Sequence, residues 1–147
     1  MKTLRPLKWA GVALVAALAA SQLIQPEPAH LKTDPTHTIQ AMLATSNSLG
    51  PLLDRARGEC HSNTMSSLWY TRVTPFSFLI ARAASEGRKA VNFSEWTAYS
   101  PDQQRALLVA SCTDATTGSM PVPLYLRFRP DAKLSARDVE TICGASR

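Results

Sequence analysis

What this chain lacks narrows its function first. It has no basic stripe interleaved with aromatic residues, and its formal charge of +5 comes largely from Lys2, Arg5 and Lys8, which stand together ahead of an apolar run. With those three set aside, 13 basic residues face 11 acidic ones. A protein that tracks phosphates needs such a stripe, so nucleic acid is not expected as a partner. No phosphate-binding loop and no nucleophile–base pair stands out, which leaves hydrolytic or transferase chemistry without support. No alternating apolar–polar run of useful length, internal repeat or low-complexity tract is present either, so a sheet or repeat architecture has no signature. Cysteine is scarce: Cys60, Cys112 and Cys143 leave one thiol over after any single disulfide. In an oxidising compartment a leftover thiol calls for a task, and Cys60 is the candidate for it.

What is present begins with the almost wholly apolar stretch from Trp9 to Ile24 behind the basic head, the pattern that keeps the head in the cytoplasm and exports the rest of the chain. Residues 1–25 read as a signal anchor or a signal peptide. Ala17-Leu18-Ala19 offers small residues at the spacing a signal peptidase reads, whereas the run falls only slightly short of a span of about 20 residues. The expected location is the periplasmic side of a bacterial inner membrane, with contact to the membrane through the N-terminal helix, or secretion if the segment is removed. Residues 26–38 carry prolines and polar side chains that bury little and read as a linker. The remainder, 39–147, suffices for one compact domain.

The punctuation of that domain is helical. A short helix is expected from Leu49 to about Arg57, leading into Cys60-His61. Thr74-Pro75 reads as an N-cap with proline at the first helical position, and Phe76, Leu79, Ile80 and Ala83 then form one stripe, expected to be buried and to stop at Gly87. Ser100-Pro101-Asp102-Gln103 is a capping box that opens a helix to about Ala115, with Leu108 and Cys112 on one face. Ser135 opens a last helix carrying Val139, Ile142 and Cys143 on a common stripe. Cys112 and Cys143 both point towards apolar faces and suit a disulfide between the last two helices.

Cys60-His61 carries the chemistry. In c-type cytochromes cysteine forms a thioether to a haem vinyl group and the adjacent histidine ligates the iron, usually within Cys-x-x-Cys-His. Here the stretch is Arg57-Gly58-Glu59-Cys60-His61, with Arg57 at the first cysteine position.

Three separated segments extend the pattern: Cys60-His61-Ser62-Asn63, then Trp69-Tyr70-Thr71-Arg72-Val73-Thr74-Pro75, then Gly87-Arg88-Lys89-Ala90-Val91-Asn92-Phe93-Ser94-Glu95-Trp96. With Gly118-Ser119-Met120-Pro121 and Pro130-Asp131-Ala132-Lys133-Leu134-Ser135, the chain resembles the bacterial haem-binding domain family over roughly Thr38 to Cys143. The resemblance implies a mainly α, small cytochrome c-like domain of four or five short helices behind an N-terminal hydrophobic helix. It implies c-type haem as cofactor, His61 as proximal iron ligand and Met120 as the sixth ligand. One thioether, at Cys60, is all that Arg57 leaves possible.

Trp69, Tyr70, Phe93 and Trp96 are candidate aromatic walls, and Arg88 or Arg57 candidate partners of a haem propionate. Phe128-Arg129-Pro130 departs from the family's histidine before proline, and Arg129 receives no ligand role. His30 and His37 fall in the linker, the latter a reserve sixth ligand. The expected function is one-electron transfer or redox sensing with a redox partner protein that the sequence leaves unidentified. A haem-dependent peroxidase-like enzyme and a haem-less interaction domain that lost the full attachment motif are the alternatives.

Overall fold

A computed structural model of the chain describes residues 4–26, 31–43, 48–65 and 69–146. Lys2 and His30 lie outside the described residues. Among the described residues every regular element is helical: α1 (Leu4–Ser21), α2 (Ile39–Met42), α3 (Leu49–Leu53), α4 (Glu59–His61), α5 (Phe76–Ala90), α6 (Pro101–Thr117), α7 (Pro123–Leu126) and α8 (Ala136–Gly144), with short 3-10 turns between them. The mainly α expectation therefore holds, with α5, α6 and α8 as the long elements behind α1 and the rest single turns.

The caps follow from local chemistry. Ser100 accepts from the Gln103 amide while the Gln103 side chain accepts from the Ser100 amide, and Ser135 and Asp138 repeat the arrangement at the start of α8. Gly118, at φ +69°, closes α6 in the left-handed conformation that glycine adopts without a Cβ clash. The chain from α3 to α4 runs on through a π turn at Asp54–Gly58, so the helix expected to end near Arg57 instead carries directly to His61.

The core gathers Ile39, Leu49, Leu52, Leu53, Val91, Phe93, Trp96, Ala115 and Ile142. The partly buried Leu108, Cys112 and Val139 pack against it. Cys112 and Cys143 are joined in a disulfide with their Cα atoms 4.7 Å apart, fastening α6 to α8.

Two expectations are corrected. First, α5 does not stop at Gly87 but continues to Ala90. Glycine is not a terminator there; it allows close approach, since a Cβ on Gly87 would stand 2.5 Å from the Cys60 carbonyl oxygen. Pro75, not Thr74, is the residue that precedes the first turn of this helix. Second, the face of α5 that meets the core is marked by the small residues Ser77 and Ala84, whereas Phe76 and Leu79 are 43% and 59% exposed. The apolar stripe is real, but among the described residues it borders an open slot shared with α7 and Phe128 and does not pack into the core.

The described part of the linker is mostly exposed but hydrogen-bonded to the domain. The Leu31 amide donates to the Asn63 carbonyl at 3.1 Å, Asn63 Nδ2 donates to the Lys32 carbonyl at 3.1 Å, and Asp34 caps the turn Pro35–His37. For the N-terminal run, no helix among the described residues is long and apolar enough to cross a membrane. Arg5 and Lys8 fall inside the 18 residues of α1, which shortens its uncharged length, so α1 gives no support to a spanning anchor.

Candidate haem site

Cys60 and His61 end a helical run whose position is set from two sides. On one side α5 presses its Gly87 against Cys60. On the other, the segment after α5 grips His61 and Asn63 by hydrogen bonds. Nδ1–H of His61 donates to the Val91 carbonyl at 3.2 Å, the Asn63 amide donates to Ser94 Oγ at 2.9 Å, and Asn92 Nδ2 donates to Asn63 Oδ1 at 2.7 Å. Asn63 Nδ2 also donates to Glu95 Oε1 at 2.8 Å. The Cys60-His61-Ser62-Asn63 and Val91-Asn92-Phe93-Ser94-Glu95 segments are thus one hydrogen-bonded unit, because buried amides must each find a partner.

The Val91 bond selects a tautomer. With its proton on Nδ1, neutral imidazole carries its lone pair on Nε2, the form a metal takes up. Burial holds the His61 pKa below its ordinary value, with the Val91 carbonyl opposing the shift. Burial first and Glu59 second push the Cys60 thiol up, while Arg88 opposes.

The depressed histidine has a consequence for stability. An unfolded chain protonates His61 as pH falls through about 6.5, whereas the folded chain resists; stability present above the unfolded value is therefore lost as pH drops, until the folded value is passed. The haem-free protein is expected to need less urea to unfold at about pH 5.5 than at about pH 7.5, and His61→Gln should remove that portion of the dependence. Equal slopes in parent and variant would show that His61 is not its source.

His61 lines a small cavity together with Ala56, Arg57, Cys60, Met120 and Tyr125. Met120 is brought there by the loop after α6. Its amide donates to the Asp114 carbonyl at 3.4 Å, and Ser119 Oγ donates to Asp114 Oδ1 at 3.0 Å. Histidine and methionine, 59 positions apart in the chain, therefore share one cavity.

Past Cys60, Val122 and Tyr125, which line both spaces, opens a second, larger space walled by Tyr70, Phe76, Leu79, Ile80 and Phe128 among others. The apolar stripe of α5 is a wall of this slot. An apolar slot flanked by a thiol, an imidazole and a thioether suits a haem: its apolar body would be held by the slot lining, and nitrogen and sulfur are the donors haem iron takes.

Arg57 is only 5% exposed. It does not turn away from the site but lines the His61 cavity, reaching across to α6. Its Nη2 donates to the Ser111 carbonyl at 3.1 Å and its Nη1 stands 3.4 Å from Asp114 Oδ2, while Nε is buried with no partner. Burial pulls this guanidinium below its usual value, against the pull of Asp114. A residue standing where the motif has its first cysteine thus ties the His61 helix to the same aspartate that holds the Met120 loop.

The remaining expected residues separate. Tyr70 lies in the slot wall, buried, with its ring 5.0 Å from that of Phe128. Trp69 is 71% exposed and only edges onto Tyr70; Phe93 and Trp96 belong to the core, Phe93 packing 5.9 Å from the His61 ring. Arg88 reaches the Ser62 carbonyl at 3.5 Å, beside the slot but not among its lining residues. His37 is exposed in its turn. Arg129 is half-buried and engages the buried Glu59 carboxylate and Asp131.

Sequence reading missed Tyr125, Phe128 and Glu59. Tyr125 and Phe128 lie in and just after the single turn α7, too short for any periodicity to register, though the prolines at 121 and 123 mark a bend there.

A family model described as a haem-binding domain matches residues 16–145. Neither the curated proteins nor the solved structures give a match.

Proposed function

Because the chain belongs to the haem-binding domain family, we propose that it is an exported one-electron carrier with a single-thioether c-type haem at Cys60, ligated by His61 and Met120. The observation that carries the reading is the meeting of Cys60, His61 and Met120 on one cavity that opens into an apolar slot. When bound, the haem supplies the one-electron iron couple; the protein's part is to hold it and to tune it.

Each part has a residue. The Val91 carbonyl orients His61, Asp114 holds the Met120 loop, and Arg57 ties the two together from within the cavity wall. A thioether sulfur opposite an imidazole favours reduced iron, so this donor set fits a carrier of raised potential. Phe76, Leu79 and Phe128 give the slot an apolar wall. Export is supported by the basic head and apolar run of α1 and by the Cys112–Cys143 disulfide, a bond that persists in oxidising compartments. Its redox partner would be a protein met in that compartment.

The test is the intact mass, under denaturing conditions, of the protein exported from a host with a c-type maturation system. The parent should gain the mass of one haem and Cys60→Ala should gain nothing. An unmodified parent would overturn covalent attachment and leave a loosely held haem or none. Met120→Ala then separates carrier from peroxidase: a changed potential and spectrum supports the carrier, whereas peroxide turnover that rises without Met120 favours the enzyme.

A further inference from the structure

Two phenol groups in the slot are left without an acceptor. The Tyr70 hydroxyl and the Tyr125 hydroxyl are both buried, and neither has a hydrogen-bond acceptor among the described residues. They line the same cavity. Tyr70 as a whole is only 5% exposed. A buried donor with nothing to donate to carries a desolvation cost, and two of them on one wall are hard to reconcile with a purely structural role. An acceptor entering the slot resolves both at once.

We propose that the Tyr70 and Tyr125 hydroxyls form a carboxylate subsite that takes a propionate of the haem. The subsite rests on the haem reading of the cavity and names a contact within it. The chemistry of the wall favours a carboxylate. The slot is apolar along α5 and at Val122, Leu124 and Phe128, and its polar lining residues are the two tyrosines, Cys60 and Glu59. A porphyrin has the matching layout, an apolar body with carboxylates confined to one edge.

The charged and titratable groups around the pair are Glu59, Cys60 and Arg129. Glu59 is engaged by Arg129, so its charge is met before a second carboxylate arrives, and the guanidinium lends positive potential to the rim. Arg129 also stands close enough to the Tyr70 oxygen to oppose the rise in its pKa, but a guanidinium only donates, so the phenol hydrogen still lacks an acceptor. Burial, then Glu59, pushes the Tyr70 pKa up to about 12 and moves Tyr125 in the same direction for the same reasons, which keeps both groups protonated as donors.

Tyr→Phe removes only the hydroxyl and gives two independent readouts. The experiment titrates the full chain, carrying Cys60→Ala so that uptake is reversible, with haemin and with haemin dimethyl ester, whose carboxylates are masked. Tyr70→Phe and Tyr125→Phe are each expected to weaken haemin binding about tenfold, with a much smaller effect on the diester. In the haem-free state the same variants should be as stable as the parent or slightly more so, since the hydroxyl removed had no acceptor.

Equal losses for haemin and diester, or unchanged haemin affinity, would overturn the carboxylate subsite alone. Destabilised haem-free variants would also overturn it, by showing that the hydroxyls serve the fold. A parent that takes up neither probe would overturn the haem reading and this inference with it.

Discussion

Replacing both Cys112 and Cys143 by serine should lower the stability of the domain by about 3–4 kcal/mol, the entropy that a cross-link of this span removes from the unfolded chain. The bond closes a loop of sequence separation 31 and joins α6 to α8, the two helices whose partly buried Leu108 and Val139 flank the core residue Ile142. Loss on that scale is a large share of the roughly 5–15 kcal/mol usual for a domain. The effect should reach the haem site, because Ser111 and Asp114, which hold Arg57, sit on α6 next to Cys112. Urea unfolding with and without reductant measures it. A midpoint that does not move would mean that the α6–α8 packing holds without the bond.

Gly87→Ala is expected to damage the fold and the site together. The added methyl would meet the Cys60 carbonyl oxygen at 2.5 Å and its carbonyl carbon at 3.1 Å, backbone atoms that cannot swing aside as a flexible side chain would. Either α5 or the Cys60-His61 turn must shift, at a cost of about 1–3 kcal/mol. A shift of α5 would move Leu79, Ile80 and Ala83, the slot wall, and a shift of the turn would move the thiol and imidazole themselves. Stability and haem incorporation should therefore fall in parallel. Gly144→Ala is the control, since a Cβ there meets nothing within 4 Å and should change stability by less than about 0.5 kcal/mol. If Gly87→Ala incorporates haem as the parent does, the glycine is not required by the close approach of α5.

The helix starts were legible because they are local. Ser100 with Gln103, and Ser135 with Asp138, satisfy each other's backbone within four residues, so no distant contact can overrule them. Cys60-His61 was legible for the same reason. The stripe on α5 was read correctly as a pattern and wrongly as a core: periodicity tells which residues share a face, but whether protein or a ligand covers that face depends on what lies opposite. Gly87 was read as a stop, because a sequence shows only that a Cβ is missing and not which neighbour forbids one.

By itself, the sequence determined a mainly α domain, its caps, the adjacent thiol and imidazole, and the residues on each apolar face, all of which come from interactions spanning a few residues. Only the tertiary structure decided that Met120 and His61 line one cavity, that Arg57 reaches Asp114 and that Tyr70 and Tyr125 line one slot. Those groups are brought together by helix packing, and packing depends on every side chain between them.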